Sequence, residues 1–190
     1  QGLYQGQADY PLSETGIAQA HALAKHWLVK QIEFDRIFSS PLQRAVQTAA
    51  ILSRELQIPM AEEPLWTERN NGHFEGKVWK EIESNNLHNP QTRLFDPIGE
   101  IGESNWDLYL RAGAALRSIY HQHPGKYQVV SHVGILNMVL HAALGIAPQP
   151  GFRCVRFRFQ NTAYAVLHYR GEQQTLFVER LNERSHWEGR

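Results

Sequence analysis

The chain has 190 residues, of which 42% are hydrophobic and 20% are charged, and this balance is that of a globular protein with one sizeable core. Its 19 basic and 19 acidic side chains cancel, which argues against a nucleic acid or a membrane surface as the main partner. The single cysteine, Cys154, excludes an internal disulfide, and no apolar run approaches the length that spans a membrane.

Helical and β-rich segments alternate from the start of the chain. The stretch "YPLSETGIAQAHALAKHWLVK" predicts a helix capped by Ser13, because apolar residues recur on one face. "FDRIFSS" predicts a short strand, and "PLQRAVQTAAILSREL" predicts a helix with Pro41 as its first residue and Ser40 as its cap. "IPMAEEPLW" predicts another short strand.

The second half of the chain continues the alternation after a polar segment. Residues 69–103 are polar and show weak periodicity, which predicts a lid-like excursion over the surface. "NWDLYLRAGAALRSIYHQH" predicts a helix, "KYQVVSH" a strand, and residues 135–144 a helix ended by Gly145. The final stretch, "CVRFRFQNTAYAVLHYRGEQQTLFVERLN", predicts three strands, of which the first holds Cys154 as an inert core thiol.

This order of elements predicts an α/β fold in one domain over residues 1–190. We expect a three-layer sandwich, in which a mainly parallel sheet is covered by helices on both faces. Ligands of such sheets bind beyond the carboxyl ends of the strands. Both "IFSSPLQR" and "VVSHVGIL" place polar residues there, so His132 is predicted at a pocket, beside a helix N-terminus that favours an anion.

Each polar residue near that edge has two interpretations when it is taken alone. Arg44 is suited to bind a phosphate through its fork, or it is a solvated helix arginine. Glu68 is either a general acid on a loop or a surface carboxylate. Gln5 and Gly6 either offer an amide and a backbone N–H to an anion or form a turn. His132 is either a ligand-binding residue or a satisfied core histidine.

Taken together, the motifs resemble those of the histidine phosphatase superfamily, also called the phosphoglycerate mutase-like family. "SSPLQRAVQTA" matches the family's Ser-Ser-Pro-Leu-x-Arg-Ala-x-Gln-Thr-Ala at every defined position. "ERNNGHFEG" is similar to its Glu-x-x-x-Gly-x-x-Glu-Gly. "VVSHVGIL" resembles its Val-Ser-His-Gly-Gly, with Val133 in place of the first glycine. The resemblance covers essentially the whole chain, in order.

The resemblance implies a phosphatase for small phosphomonoesters that forms a phosphohistidine and needs no metal ion or other cofactor. Carried over to this chain, Arg44 and His132 hold the transferring phosphoryl group, and Glu68 protonates the leaving group before it activates water. The residues expected to line the phosphate pocket are Gln5, Gly6, Arg44, His132 and Val133. The expected partner is a small phosphorylated metabolite in the cytoplasm, and the oligomeric state is not predicted.

The family's nucleophile is a histidine in an Arg-His-Gly motif at the end of the first strand, and none of the chain's ten histidines has that context. Because Gln1 aligns just after that motif, we expect about a dozen residues, a central strand and its loop, upstream of this sequence. A domain without that strand would expose two unpaired edges. A phosphoglycerate mutase-type transferase and a pseudoenzyme that only binds phosphate ligands remain as alternatives.

The identity of the substrate is expected to depend on residues 77–103. Lys80 and Arg93 in that stretch are candidate contacts for an anion, although solvated surface positions are the ordinary alternative. Trp79 and Trp106 flank the excursion and are candidates for its border with a substrate.

Overall fold

Three parallel strands form the centre of the molecule in the computed structural model, which describes residues 2–83, 93–150 and 155–187. They are β1 (Arg36–Ser39), β2 (Met60–Glu62) and β3 (Tyr127–Val130). β1 lies in the middle and pairs with both neighbours, and the sheet order is β2-β1-β3. Ser39 is opposite Glu62 and Val130, so the loops that follow the three strands leave from the same edge of the sheet.

Helices cover both faces of this sheet, as predicted. The described helices are α1 (Glu14–Val29), α2 (Gln43–Leu56), the short α3 (Trp79–Glu83), α4 (Asn105–Tyr120) and α5 (Val133–Leu144). Ile37 packs in one core cluster with side chains of α1 and α2, and its neighbour Phe38 packs in another with side chains of α4 and α5. Successive residues of a strand point to opposite faces, so the α/β layers are confirmed.

Two antiparallel strands, β4 (Tyr164–Arg170) and β5 (Thr175–Glu183), form a separate hairpin at the end of the chain. The predicted strand before them is wrong, since residues 155–160 form no strand. The backbone of Phe157 is bonded instead to the side chain of Asn137 in α5, which donates to its carbonyl at 2.9 Å and accepts from its N–H at 2.7 Å. Cys154 lies outside the described residues.

Helix ends follow the local sequence signals in two cases. Ser13 caps α1, because its hydroxyl accepts from the Gly16 N–H at 3.2 Å. Gly145 ends α5 with a positive φ of 68°, a conformation that glycine adopts without steric cost. α5 begins at Val133, two residues earlier than predicted, and His132 occupies its N-cap position.

The start of α2 differs from the prediction. The helix begins at Gln43 with Leu42 at the N-cap position, so Pro41 is not its first residue and Ser40 is not its cap. The Ser40 hydroxyl accepts from the Leu42 N–H at 3.3 Å, but its shorter contact is with His132. Ser40 therefore bonds to a residue 92 positions away, which a prediction from the neighbouring sequence does not include.

The polar segment 69–103 is bonded to itself at its two ends. Asn70 accepts from the Glu103 N–H at 2.8 Å through its carbonyl, and the Glu103 carboxylate accepts from the Asn70 N–H at 2.9 Å. Part of the segment, residues 84–92, lies outside the described residues, and its role as a lid stays a prediction. None of the described helices is long and apolar enough to cross a membrane.

A cleft of about 1030 Å³ separates β3 from β4 and continues to the carboxyl edge of the sheet. Residues 128–130 of β3 and Tyr164 of β4 both border it. Within the described ranges, β3 pairs only with β1 and β4 pairs only with β5. Each strand therefore presents an unpaired edge on the side of the cleft.

Candidate active site

Arg44, Glu68 and His132 come together where the loops after β1 and β3 meet. The Arg44 Nε donates to Nδ1 of His132 at 3.3 Å. The Glu68 carboxylate accepts from the backbone N–H groups of Gly134 at 3.0 Å and Ile135 at 3.1 Å, in the first turn of α5. Three side chains from distant parts of the sequence therefore share one site at the mouth of the cleft.

Arg44 lies in the first turn of α2 and reaches the loop at the start of the chain. Its guanidinium donates to the carbonyls of Gly6 at 2.7 Å and Ala8 at 2.8 Å. Burial lowers the pKa of Arg44, and the nearby carboxylates, chiefly that of Glu68, oppose that effect. The guanidinium therefore remains a fixed positive charge at the site.

His132 is nearly buried and its two ring nitrogens have different partners. A guanidinium N–H can only donate, so Nδ1 accepts from Arg44 and the ring proton sits on Nε2. Nε2 lies 2.7 Å from the hydroxyl oxygen of Ser40, which therefore accepts a hydrogen bond from the Nε2–H group. Burial, followed by the positive charges of Arg44 and Arg111, lowers the pKa of His132 to about 3, so the ring is neutral at neutral pH.

Glu68 occupies the position at which the sequence predicted an anion. Its carboxylate accepts from the Arg69 N–H at 2.7 Å as well as from the N–H groups of Gly134 and Ile135. The last two lie at the N-terminus of α5, where N–H groups without a partner inside the helix give a partial positive charge. Gly134 is required for this contact, because a Cβ built there would lie 2.3 Å from a Glu68 carboxylate oxygen. The anion at this helix terminus is thus a side chain of the protein itself.

Gln5, Gly6 and Val133, the other predicted phosphate-pocket residues, all border the cleft. Gly6 lies in a turn with φ of 52° and gives its carbonyl to Arg44. A Cβ at Gly6 would lie 2.6 Å from the Glu75 carboxylate, so a glycine is needed there. Val133 is half exposed in the first turn of α5. The turn interpretation of Gly6 therefore holds, and phosphate contacts from these three residues stay a prediction.

An ion pair that the sequence did not single out fixes the Glu68 segment. Arg111 of α4 donates to Glu103 through Nε and Nη2, each at 2.7 Å. The same guanidinium donates to the carbonyls of Leu65, Thr67 and Glu68 at distances from 2.6 to 3.2 Å. One arginine thus holds the loop that carries Glu68, and none of the motifs taken from the sequence contains it.

Glu75, the second carboxylate of the Glu68 motif, holds the loop that faces Arg44. It accepts from the backbone N–H groups of Gln7 at 2.9 Å and Asn71 at 3.0 Å. Asn71 borders the cleft and Gln7 follows the cleft residue Gly6, so Glu75 joins the two loops. Its contacts are with the backbone and not with the three converging side chains.

Of the four residues predicted to contact or border a substrate, Trp79 lines the cleft and the other three do not. Trp79 borders the cleft and packs on Tyr4, with ring centroids 4.5 Å apart. Trp106 packs on other aromatic rings, whereas Lys80 and Arg93 are exposed and are not among the described residues of the cleft wall. Among the described residues, no three His, Cys, Asp or Glu side chains are grouped to hold a metal ion.

Comparison with known proteins agrees with this arrangement of motifs. The family described as "Histidine phosphatase superfamily (branch 1)" matches residues 1–183. Putative phosphoserine phosphatase 2 of Hydrogenobacter thermophilus is 29% identical over 192 residues, which cover 97% of this chain and 89% of that protein. A probable phosphoglycerate mutase, GpmB of Yersinia pestis, is 33% identical over 172 residues, 87% of this chain and 76% of that protein.

A solved structure extends the likeness to the fold. YhfR of Bacillus stearothermophilus superimposes with a TM-score of 0.82 at 27% identity, and the match covers 97% of this chain and 91% of that one. The arrangement of the sheet, the helices and the hairpin is therefore shared with that protein.

Proposed function

Because this chain belongs to the histidine phosphatase superfamily, we propose that it hydrolyses small phosphomonoesters through a phosphohistidine intermediate, without a metal ion. The observation that supports this most is the convergence of three side chains at one sheet edge: Arg44 bonds to His132 at 3.3 Å, and Glu68 is held at 3.0 Å by the Gly134 N–H, two residues after His132. A cation, a carboxyl group and an imidazole at one sheet edge are the groups that metal-free phosphoryl transfer needs.

The nucleophile belongs, in this proposal, to a histidine upstream of residue 1, on an extended segment that enters the cleft between β3 and β4. The unpaired edges of these two strands support that placement. So does His141, which is fully buried at the cleft wall with Nδ1 lacking a partner. A segment parallel to β3 would end at the same edge as Val130 and bring its last residue beside His132.

The first chemical step forms a bond from the histidine nitrogen to phosphorus and breaks the bond from phosphorus to the ester oxygen. Arg44 and His132 bind the non-bridging oxygens, and Glu68, which takes up a proton when the phosphoryl dianion binds beside it, gives that proton to the leaving oxygen. In the second step water attacks phosphorus, its proton returns to Glu68, and the nitrogen–phosphorus bond breaks. A phosphoryl dianion beside Glu68 disfavours a second negative charge there, which suits the acid role in the first step.

Arg44 can serve a bound phosphoryl group without losing its own support. Three of its five N–H donors bond to Gly6, Ala8 and His132. A phosphoryl oxygen can accept from the other donors or replace His132 as a partner, while the two carbonyls keep the guanidinium in place.

Hydrolysis of an aryl phosphate by the full-length gene product in the presence of a chelator tests the proposal. We expect inorganic phosphate to be released at the same rate with and without the chelator. Activity that disappears with the chelator would contradict the metal-free mechanism, and an absence of release would favour the pseudoenzyme. The mutase alternative is supported by the 33% identical relative, and it predicts transfer to a phosphoglycerate acceptor that exceeds release into water.

A further inference from the structure

The Ser40 hydroxyl is hydrogen-bonded to Nε2 of His132, and the backbone of Ser40 is held in place for that bond. Its hydroxyl oxygen lies 2.7 Å from Nε2, although the two residues are 92 positions apart. Ser40 is fully buried at the end of β1, directly before the turn into α2. Its backbone N–H is bonded to the Val130 carbonyl of β3 at 2.9 Å, so the serine is fixed to the strand that leads to His132.

The ligand-free arrangement puts the ring proton of His132 on the wrong nitrogen for phosphate binding. Nδ1 faces Arg44 and accepts a hydrogen bond there, as shown above. A phosphoryl oxygen that arrives beside Arg44 can only accept, so Nδ1 would have to carry the proton in the bound state. The nitrogen that faces Ser40 would then have to accept a hydrogen bond instead of donating one.

A hydroxyl is the group that serves both states, since it donates through its proton and accepts through its lone pairs. By turning about its Cβ–Oγ bond, Ser40 can face Nε2 with either. We propose that Ser40 is the positioning residue of His132, and that it allows the neutral ring to move its proton from Nε2 to Nδ1 when a phosphoryl group binds. This inference rests on the proposed function only in placing the phosphoryl group at Arg44 and His132.

The proton balance of the change is simple. The ring takes up one proton from solvent at Nδ1 and gives up one to solvent from Nε2, so His132 stays neutral before and after. The alternative is a doubly protonated ring beside Arg44 and Arg111, whose positive charges and whose buried surroundings disfavour it. The buried Nε2 keeps a partner throughout, which avoids the cost of an unpaired polar atom.

The test uses nitrogen-15 NMR of the histidine rings in the full-length gene product, with inorganic phosphate as the probe. In the free protein we expect the His132 signals of a ring protonated at Nε2, and at saturating phosphate those of a ring protonated at Nδ1. Signals that show Nδ1 already protonated in the free protein, or no change with saturating phosphate, would overturn the inference.

Variants separate positioning from a merely structural role. Ser40→Ala removes the hydroxyl, and we expect phosphate to bind about tenfold more weakly or worse, with no change of ring tautomer. Ser40→Cys has nearly the size of serine and a weak donor and acceptor, so it should restore part of both properties if the alanine variant fails to fold. Phosphate affinity in either variant within twofold of the parent, with the same tautomer change, would refute the role.

Ser39→Ala is the matched control, because Ser39 is the neighbouring buried serine and its hydroxyl bonds to the Ser40 carbonyl rather than to His132. It should leave both the tautomer change and the phosphate affinity unaltered. None of these measurements needs turnover, so a protein that binds phosphate with the tautomer change but hydrolyses nothing would contradict the proposed function and leave this inference standing.

Discussion

Gly134 and Glu68 are in close contact, and the carboxylate of Glu68 can take its position only because residue 134 is a glycine. The Gly134 N–H donates to Glu68 at 3.0 Å, and a Cβ on Gly134 would lie 2.3 Å from the other carboxylate oxygen. The carboxyl group therefore sits against the first turn of α5 only while residue 134 has no side chain. His132 occupies the N-cap position of the same helix, so this contact sets the distance between the proposed acid and the proposed phosphoryl-binding histidine.

Gly134→Ala should displace Glu68 and lower turnover more than it lowers phosphate binding. The methyl group has no room without movement of the carboxylate. Because the carboxylate is the free end of a flexible side chain, its displacement should cost little folding stability while it removes the proposed acid from its place. Steady-state kinetics and urea unfolding check the two effects. Gly113→Ala is the control, since a Cβ there meets nothing within 4 Å, and unchanged turnover in both variants would show that Glu68 does not need this position.

Glu68→Gln should separate binding from chemistry. The amide keeps the shape of the acid but cannot deliver a proton as an acid does, so an alkyl phosphate should be cleaved far more slowly. An aryl phosphate, whose leaving group needs little protonation, should lose less in the first step. Single-turnover phosphorylation is the measurement, because steady-state rates include the water step. Equal losses for the two substrates would remove Glu68 from the acid role.

Arg111→Gln should disturb the Glu68 loop from a distance. It removes the donors to three loop carbonyls and leaves the carboxylate of Glu103, which is only one fifth exposed, without its partner. Breaking a buried ion pair in this way typically costs about 3–5 kcal/mol, and this partly exposed pair should cost less. Urea unfolding measures the loss, and kcat should fall with it.

Glu100→Gln is the control for that variant. Glu100 faces His73 at 3.8 Å in a pair that is largely exposed, so its loss should change stability little. If Arg111→Gln and Glu100→Gln unfold at the same urea concentration as the parent, the Arg111 network does not hold the loop.

Stability should depend on pH through His132. The pKa of this ring is about 3 in the folded protein and 6.5 in its reference state, so the unfolded chain binds the proton more readily between those values. Its contribution to stability is fully present above pH 6.5 and is lost as the pH falls toward 3. Urea unfolding of the parent and of His132→Asn between pH 4.5 and 8 tests this, with a shallower decline expected in the variant; identical declines would contradict it.

Much of the fold followed from periodicity and turn signals in the sequence. The segments of α1, α4 and β3 show local patterns, and the alternation of these patterns predicted parallel strands with helices on both faces. The wrong third strand shows the limit of that method. "VRFRF" alternates as a strand does, but the side chain of Asn137 takes up the backbone N–H and carbonyl of Phe157.

The resemblance of the motifs predicted that Arg44, Glu68 and His132 lie together, and they do, but it did not predict their contacts. The local sequence predicted Ser40 as a helix cap and an external anion at the N-terminus of α5. In the structure Ser40 bonds to His132, and the Glu68 carboxylate binds the N–H groups at that terminus. These partners are 92 and 66 residues apart, and no pattern within a window of the sequence connects residues at such distances.

The proposed function requires a histidine that carries the phosphoryl group between substrate and water. The most direct measurement is a rapid quench of the full-length gene product with a labelled phosphomonoester, followed by mass spectrometry of its peptides. We predict an acid-labile, base-stable phosphate on one histidine upstream of residue 1, formed and lost fast enough for turnover. Hydrolysis with no phosphorylated histidine, or with the label on a residue within 1–190, would contradict the account.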